Sequence, residues 1–523
     1  MPQIKPIRMM AGFLTVGVWT LASRILGFVR EIMLTALIGP GPVMDAFVAA
    51  FRLPNMFRRF FAEGAFNAAF VPMFAKRLEG AQDGEQDAQG FARDAFNLLG
   101  VTVLGLVALA MIAMPALVWA TAGGFAGDAR FDLAVGYGRV VFPYILAMSL
   151  AALFSGVLNA TGRFAAAAAA PVLLNVLACG AMLAGHLLGQ QVITWLVWVI
   201  PLAGIAQLAL VWIAAERAGV RIRPGRPRVT PEMRHLVRIA VPAALATGVT
   251  QINLVVGQLV ASGTENAVSW LFTADRLYQL PLGVIGIAVG IVLLPNLSRH
   301  LRSGDTVAAR AAYSRAGEVS LLLTLPSAMA LVVIPLPLVS VLFERGQTGP
   351  EDSLAIARAV AIYGLGLPAF MLQKILQPLY FAREDTRRPF HYALVAMVLN
   401  AVLAVGLMPV LGWLAPAVAT SAAGWAMVLL LWLGARQFGE EARFDAQFHR
   451  RIWRIVAASG VMGAALIGAA WLLQGALHTD GIRYLALLAL IVLAAIVFFG
   501  VGHMIGALRL AEFKSSLRRG SGG

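Results

Sequence analysis

Ionisable side chains are scarce in this chain. Aspartate, glutamate, lysine and arginine make up 13% of its 523 residues and hydrophobic residues 60%, against about 25% and about 45–50% in a soluble domain. No stretch is polar enough to form a soluble domain of its own, so most of the chain must lie in lipid. Cysteine occurs once, at Cys179 within an apolar run, which excludes an intramolecular disulfide and says nothing of redox compartment. The seven histidines, His186, His235, His300, His391, His449, His478 and His503, are scattered without an HExxH pair, and no GxxxxGK[ST] loop is present to cradle nucleotide phosphates. No metal, no cofactor and no built-in ATPase are therefore expected.

What the chain has instead is apolar length, with a mean hydropathy of +0.80. A membrane span takes about 20 apolar residues. The runs predict helices over 9–38, 43–77, 91–121, 133–160, 165–189, 192–216, 232–262, 265–301, 308–343, 352–382, 387–410, 413–437, 450–475 and 481–509. The predicted class is all-α, a polytopic membrane protein of about 14 transmembrane helices. The N-terminal run outlasts a signal-peptide core and lacks a small-residue cleavage site, so it is expected to be the first span.

The net charge of +15 is distributed unevenly. Basic residues recur in alternate connections: Lys5 and Arg8, Lys76 to Arg93, Arg163, Arg217 to Arg238, Arg299 to Arg315, Arg383 to Arg388, Arg443 to Arg454, and Lys514 to Arg519. The connections between them ("IGPGPVM", "ASGTEN", "LQGALHTDG") are poor in them. That alternation is the positive-inside pattern, which predicts an even number of spans with both termini cytoplasmic. Topology and anionic lipid account for the basic clusters, and no nucleic-acid partner is expected.

The two halves of the chain echo each other. "FVPMFAKRL" at 70–78 parallels "LLPNLSRHL" at 293–301 with an offset of 223, and "TGRF…PVLLNVL" at 161–177 parallels "TRRPF…AMVLNAVL" at 386–403 with an offset of 225. Six helices fit in that offset, so the copies would share one orientation, as parallel repeats do. The expected organisation is an N-lobe at 1–216, a basic cytoplasmic connection at 217–231, a C-lobe at 232–437, two further helices within 448–509 and a basic cytoplasmic tail at 510–523.

Some charges fall where lipid should be. In "SRILGFVRE" at 23–31 the helical period puts Arg24 with Glu31, and Ser23 with Arg30, on one side of the first helix. The second carries Asp45, Arg52 and Arg59 at seven-residue spacing, with Asn55, Arg58 and Glu63 close by and a kink due at Pro54. The eighth holds Asp275 and Arg276 side by side. Each arginine at mid-membrane costs about 2.5–3.5 kcal/mol on insertion scales, so Arg24, Arg30, Arg58 and Arg276 facing lipid would cost on the order of 10 kcal/mol. They must face each other or water. Arg30–Glu31 and Asp275–Arg276 also fit structural ion pairs, but matched charges would serve packing better than this arginine excess, which suits an anion such as phosphate or carboxylate.

At these residues the chain resembles the MurJ/MviN family of lipid II flippases, in the multidrug/oligosaccharidyl-lipid/polysaccharide exporter superfamily. The resemblance is carried by "SRILGFVRE", "DAFVAAFRLPNMFRRFFAEGAFNAAFVP" (45–72), "LNATGRF…PVLLNV" (158–176), "SWLFTADRLYQLPLGVIGIAVGIVLLPNLS" (269–298) and "GLPAFMLQKILQPLYFAREDTRRP" (366–389). It implies a two-lobed bundle in which helices 1, 2, 7 and 8 line a cationic cavity and the last two helices form a groove for a lipid tail. It further implies substrate contacts at Ser23, Arg24, Arg30, Asn55, Ser269 and Arg276. A gate of ion pairs is implied around Asp45, Arg58, Glu63 and Asp275, beside Arg52, Arg59 and Glu31. A sodium site found in some members is matched only by Asn400 and Thr420, with Gly257 and Ala404 at its two acidic positions, which favours drive by membrane potential. The implied setting is the bacterial inner membrane, with lipid II as cargo, membrane lipids and the cell-wall synthesis machinery as partners, and a monomeric chain.

Three functions follow in order: alternating-access transport of the lipid II headgroup, export of another polyprenyl-linked oligosaccharide, and an enzyme acting on polyprenyl diphosphates. A cationic drug would be repelled by these arginines. The enzyme reading is weakest, because Asp45, Glu63 and Asp275 are dispersed and interleaved with arginine rather than gathered for acid–base or metal chemistry.

Overall fold

The computed structural model describes residues 6–58, 65–80 and 84–507, which form twenty α-helices and no strand. Arg59, Glu63 and the tail at 510–523 lie outside the described residues. Contacts gather the chain into two compact units, Met1–Ser269 and Trp270–Gly523. Ten helical segments among the described residues are long and apolar enough to cross a membrane. The chain is an all-helical, multi-pass membrane protein.

The first unit holds α1 (Pro6–Leu37), α2 (Pro42–Arg58), α3 (Ala65–Leu78), α4 (Gly84–Ile112), α5 (Met114–Ala122), α6 (Ala129–Val141), α7 (Tyr144–Ala160), α8 (Ala165–Leu187), α9 (Val192–Arg217) and α10 (Pro231–Ala261). Two predicted helices are broken. The 91–121 span parts at Ala113, just before Met114-Pro115, while the 133–160 helix is interrupted at Phe142-Pro143 within a single membrane-crossing segment, Ala129–Ala160. Proline lacks the N–H that a continuous helix needs and disfavours helical backbone in the residue before it. Packing runs through α8 on α9, α7 on α9 and α1 on α8. An aromatic cluster of Phe96, Phe154 and Trp212, with centroids 5.1–5.8 Å apart, fixes α4, α7 and α9 together.

The 217–231 connection is tied to this unit: the Gly225 N–H donates to Asn97 Oδ1 at 2.8 Å and Gln89 Nε2 to Gly219 O at 3.1 Å. Beyond this connection, α10 packs on α3 and α5. Gln258 Nε2 donates to Thr121 O (3.2 Å), and the Gly124 N–H donates to Ser262 Oγ (2.9 Å).

The second unit contains α11 (Ala267–Arg302) from Trp270 onward, then α12 (Thr306–Val333), α13 (Pro335–Phe343), α14 (Pro350–Phe381), α15 (Arg387–Gly406), α16 (Met408–Leu411), α17 (Ala415–Ala435), α18 (Ala446–Leu472), α19 (Gln474–His478) and α20 (Ile482–Met504). Proline again divides a predicted span, 308–343, at Ile334-Pro335. Here α14 packs on α12 and α17, while α18 is held between α12 and α20. Ions fasten α18: Arg315 Nη2 meets Asp445 Oδ2 at 2.6 Å and Arg451 Nη1 meets Glu318 Oε2 at 3.0 Å. The outward faces of α18 and α20 stay apolar, with Ile467, Trp471, Leu485, Leu488 and Ile496 exposed.

Candidate functional site

Two polar constellations stand out in the first unit, each inside an apolar bundle. The first is built on Asp45, in the opening turn of α2 and fully buried. Its Oδ1 accepts from the backbone N–H (2.9 Å) and the hydroxyl (2.8 Å) of Ser269, and its Oδ2 from the Asn266 N–H (2.9 Å). Asn266 and Ser269 bracket the start of α11, where helical N–H groups have no partner of their own. Asp45 therefore caps α11 from a helix more than two hundred positions earlier, and the helix end is a favourable place for its negative charge.

Arg130 completes this cluster. Its Nη1 lies 3.3 Å from Asp45 Oδ2 and 3.3 Å from Thr264 O, its Nη2 2.7 Å from Asp128 Oδ2, and its guanidinium 4.5 Å above the Phe125 ring. Asp128 caps α6, accepting from the Arg130 N–H at 2.7 Å. These bonds from Arg130 hold the Asp128 carboxyl below its ordinary range. The arginine at Asp45 is thus Arg130. Arg58, implied with Asp45 and Glu63 in a gate of ion pairs, is the last residue of α2. Ser269, expected at the headgroup, is fully buried with its hydroxyl on Asp45.

The second constellation is on α1 and α8. Arg30 Nη1 donates to Asn175 Oδ1 at 3.0 Å, and Asn175 Nδ2 donates to the Ser23 carbonyl at 2.9 Å. The amide spans almost two helical turns, joining Ser23 to Arg30. Gly27, between them, leaves room: a Cβ there would lie 3.6 Å from Asn175 Nδ2. Arg24, beside Ser23, has a buried Nε with no hydrogen-bond partner and no carboxylate within ion-pair distance among the described residues. Glu31 is buried at 1% exposure.

The other expected residues are placed separately. Arg52 Nη1 donates to Leu254 O at 3.0 Å, tying α2 to α10, and Asn55 is half-buried. In the second unit Asp275 accepts from Gln279, and the Arg276 guanidinium lies 4.6 Å over the Phe272 ring with its Nε buried and unbonded among the described residues. Asn400 is buried, Thr420 half-buried, and Ala404 is fully buried with no side-chain oxygen to offer a cation. Sequence reasoning passed over Arg130, which lies just before the predicted span at 133–160, and Asn266, which sits in a connection where polar residues are ordinary. It noted Asn175 only as part of a repeat, although an amide inside "PVLLNVL" was itself a signal.

Chemically, these groups can bind and switch. Arg24 and Arg276 have a buried Nε–H with no partner among the described residues, and Asp45 and Asp128 serve as helix caps and as counter-ions of Arg130.

The comparisons with known proteins agree. The family model described as Lipid II flippase MurJ matches residues 34–498. A probable lipid II flippase MurJ of Rhizobium meliloti (strain 1021) is 46% identical over 97% of this chain and 96% of its own length. The lipid II flippase MurJ of Burkholderia cenocepacia is 33% identical over 94% and 96%. Among solved structures, a lipid II flippase MurJ in an inward closed conformation superposes with a TM-score of 0.79 at 22% identity, covering 94% of this chain and 98% of that one. An inward-facing MATE-family multidrug transporter of the MOP superfamily gives 0.65 at 16% identity, covering 80% and 94%, which is a likeness of fold alone. With a family model matched over most of its length and relatives aligned nearly end to end, the chain belongs to the MurJ family of lipid II flippases.

Proposed function

We propose that the chain moves lipid II, an undecaprenyl-diphosphate-linked sugar-peptide, from the cytoplasmic to the outer leaflet by alternating access. Arg24, Arg30 and Arg276 receive the diphosphate and headgroup, Asn55 contributes a further polar contact, and the polyprenyl tail stays in lipid along the exposed apolar faces of α18 and α20. The observation that carries this reading is the pair of guanidiniums, Arg24 and Arg276, whose buried Nε groups have neither hydrogen-bond partner nor carboxylate among the described residues. A guanidinium N–H buried without a partner is costly until an acceptor arrives. A diphosphate supplies that acceptor in the geometry a guanidinium fork prefers.

The Asp45 cluster acts in this reading as a latch. Asp45, Arg130, Asn266 and Ser269 hold the start of α11 against α2, and outward opening requires those bonds to part. Asp275, Arg58 and Glu63 contribute further ion pairs in the cycle, and both termini are cytoplasmic. The membrane potential drives the step, at about 2.3 kcal/mol per charge per 100 mV. Growth of flippase-depleted cells tests the proposal: Arg24→Ala and Arg276→Ala should insert at normal levels and fail to support growth. Full growth with both variants would refute it.

A further inference from the structure

A cavity of about 460 Å³ opens in the second unit, lined by Arg310, Trp432, Arg436, Glu440, Arg443 and His449. Its volume falls in the range of ligand sites, about 300–1,000 Å³. Three arginines face one carboxylate. Glu440 is shared between Arg310 Nη1 at 2.7 Å and Arg443 Nη1 at 2.9 Å, so the lining carries two positive charges in excess. Arg436 stacks 3.9 Å above the Trp432 ring and has no carboxylate within ion-pair distance among the described residues. Arg310 Nε is buried and unbonded there.

The cavity's position narrows the ligand. Arg310 is in the first turns of α12, Trp432 in the last turn of α17 with Arg436 just beyond, and His449 in the first turn of α18. All three belong to segments apolar enough to span a membrane, so the cavity opens at a membrane–water boundary. Tryptophan is enriched at that depth. A ligand there meets a cationic wall on its polar side and hydrocarbon on the other. We propose that this cavity binds the phosphate of an anionic glycerophospholipid, gripped by Arg436 and Arg443 and flanked by Trp432. Guanidinium forks match phosphate oxygens, and basic pockets between membrane helices are suited to such headgroups. The bound lipid bridges α12, α17 and α18, adding to the Arg315–Asp445 and Arg451–Glu318 pairs that seat α18. This inference is independent of the transport reading.

Native mass spectrometry of the purified full chain tests it, with short-chain phosphatidylglycerol, short-chain phosphatidylcholine and inorganic phosphate as probes. Phosphatidylglycerol adducts should exceed phosphatidylcholine adducts at least five-fold. Arg436→Gln combined with Arg443→Gln should cut them at least five-fold, and Arg223→Gln, on the exposed basic connection, should leave them unchanged. If the double variant fails to fold, Arg436→Gln alone, which breaks no ion pair, should still cut the adducts at least two-fold. Equal retention of the two lipids, or full retention by the variants, would overturn the proposal. Displacement by inorganic phosphate without any lipid preference would assign the site to a free anion and overturn it equally.

Discussion

Asp45 and Ser269 are 224 positions apart and joined twice, once through the backbone N–H and once through the hydroxyl of Ser269. The two bonds differ in what a substitution can remove. Ser269→Ala takes only the hydroxyl bond and should cost about 1 kcal/mol. Asp45→Ala strips the cap from α11 and leaves Arg130, with 8% of its side chain exposed, short of a counter-ion, so it should cost about 3 kcal/mol or more. Thermal unfolding in detergent should rank wild type above Ser269→Ala and Ser269→Ala well above Asp45→Ala. Equal losses would mean that the carboxylate is not the organising group.

The acid side of stability should run through Asp128. Its carboxyl is held below the ordinary value of 3.8 by hydrogen bonds from Arg130. A carboxyl depressed on folding contributes stability that is present above its unfolded value and is lost as pH falls through the folded one. Unfolding temperature should therefore be flat through Asp128 at neutral pH and decline below pH about 3.8. Asp128→Asn should lack that part of the decline, which a pH series of the two proteins measures.

Asn175 should matter for transport more than for folding. Its amide holds Arg30 toward Ser23, so Asn175→Ala should insert and fold yet lose at least five-fold in flipping, because Arg30 is no longer aimed. Gly27→Ala should be tolerated, since the new methyl lies 3.6 Å from the amide, an ordinary contact. Lipid II protected from an externally added lipid II-cleaving toxin gives the readout.

Gly124 approaches the Gly263 and Ser262 backbone so closely that a Cβ would overlap main-chain atoms. No rotamer relieves such a clash. Gly124→Ala should lower the unfolding temperature markedly, whereas Gly136→Ala, inside α6 with open space around it, should change it little.

Much of this was legible in the residues. Apolar run length set the helices, because the bilayer fixes how many residues a span needs. Prolines explain most of the disagreement, dividing predicted spans at Ala113 and Ile334 and interrupting the 133–160 helix at Phe142. The anomalous charges on α1, α2 and α11 were visible because lipid penalises them. Their partners were not: Asp45 meets Arg130 and Ser269 through tertiary contacts far apart in the chain, and Arg130, in the first turn of α6, lies just before the predicted span at 133–160, where its burial does not show. A helical wheel likewise joined Ser23 to Arg30 by face but could not show that Asn175 of α8 spans them.

Sodium independence is expected from the sequence alone. The two acidic positions of the family's sodium site are Gly257 and Ala404 here, and neither offers a side-chain oxygen. Replacing sodium with choline should leave the flipping rate within two-fold of its starting value. Collapse of the membrane potential should reduce it at least five-fold.

The central claim is that unmatched guanidiniums hold the diphosphate. Its most direct test is lipid II translocation in proteoliposomes at a fixed membrane potential, comparing wild type with Arg24→Ala, Arg276→Ala and Arg24→Lys. The account predicts that both alanine variants fall to the protein-free rate and that lysine, a charge without the fork, recovers part of it. Translocation at the wild-type rate in either alanine variant would contradict it.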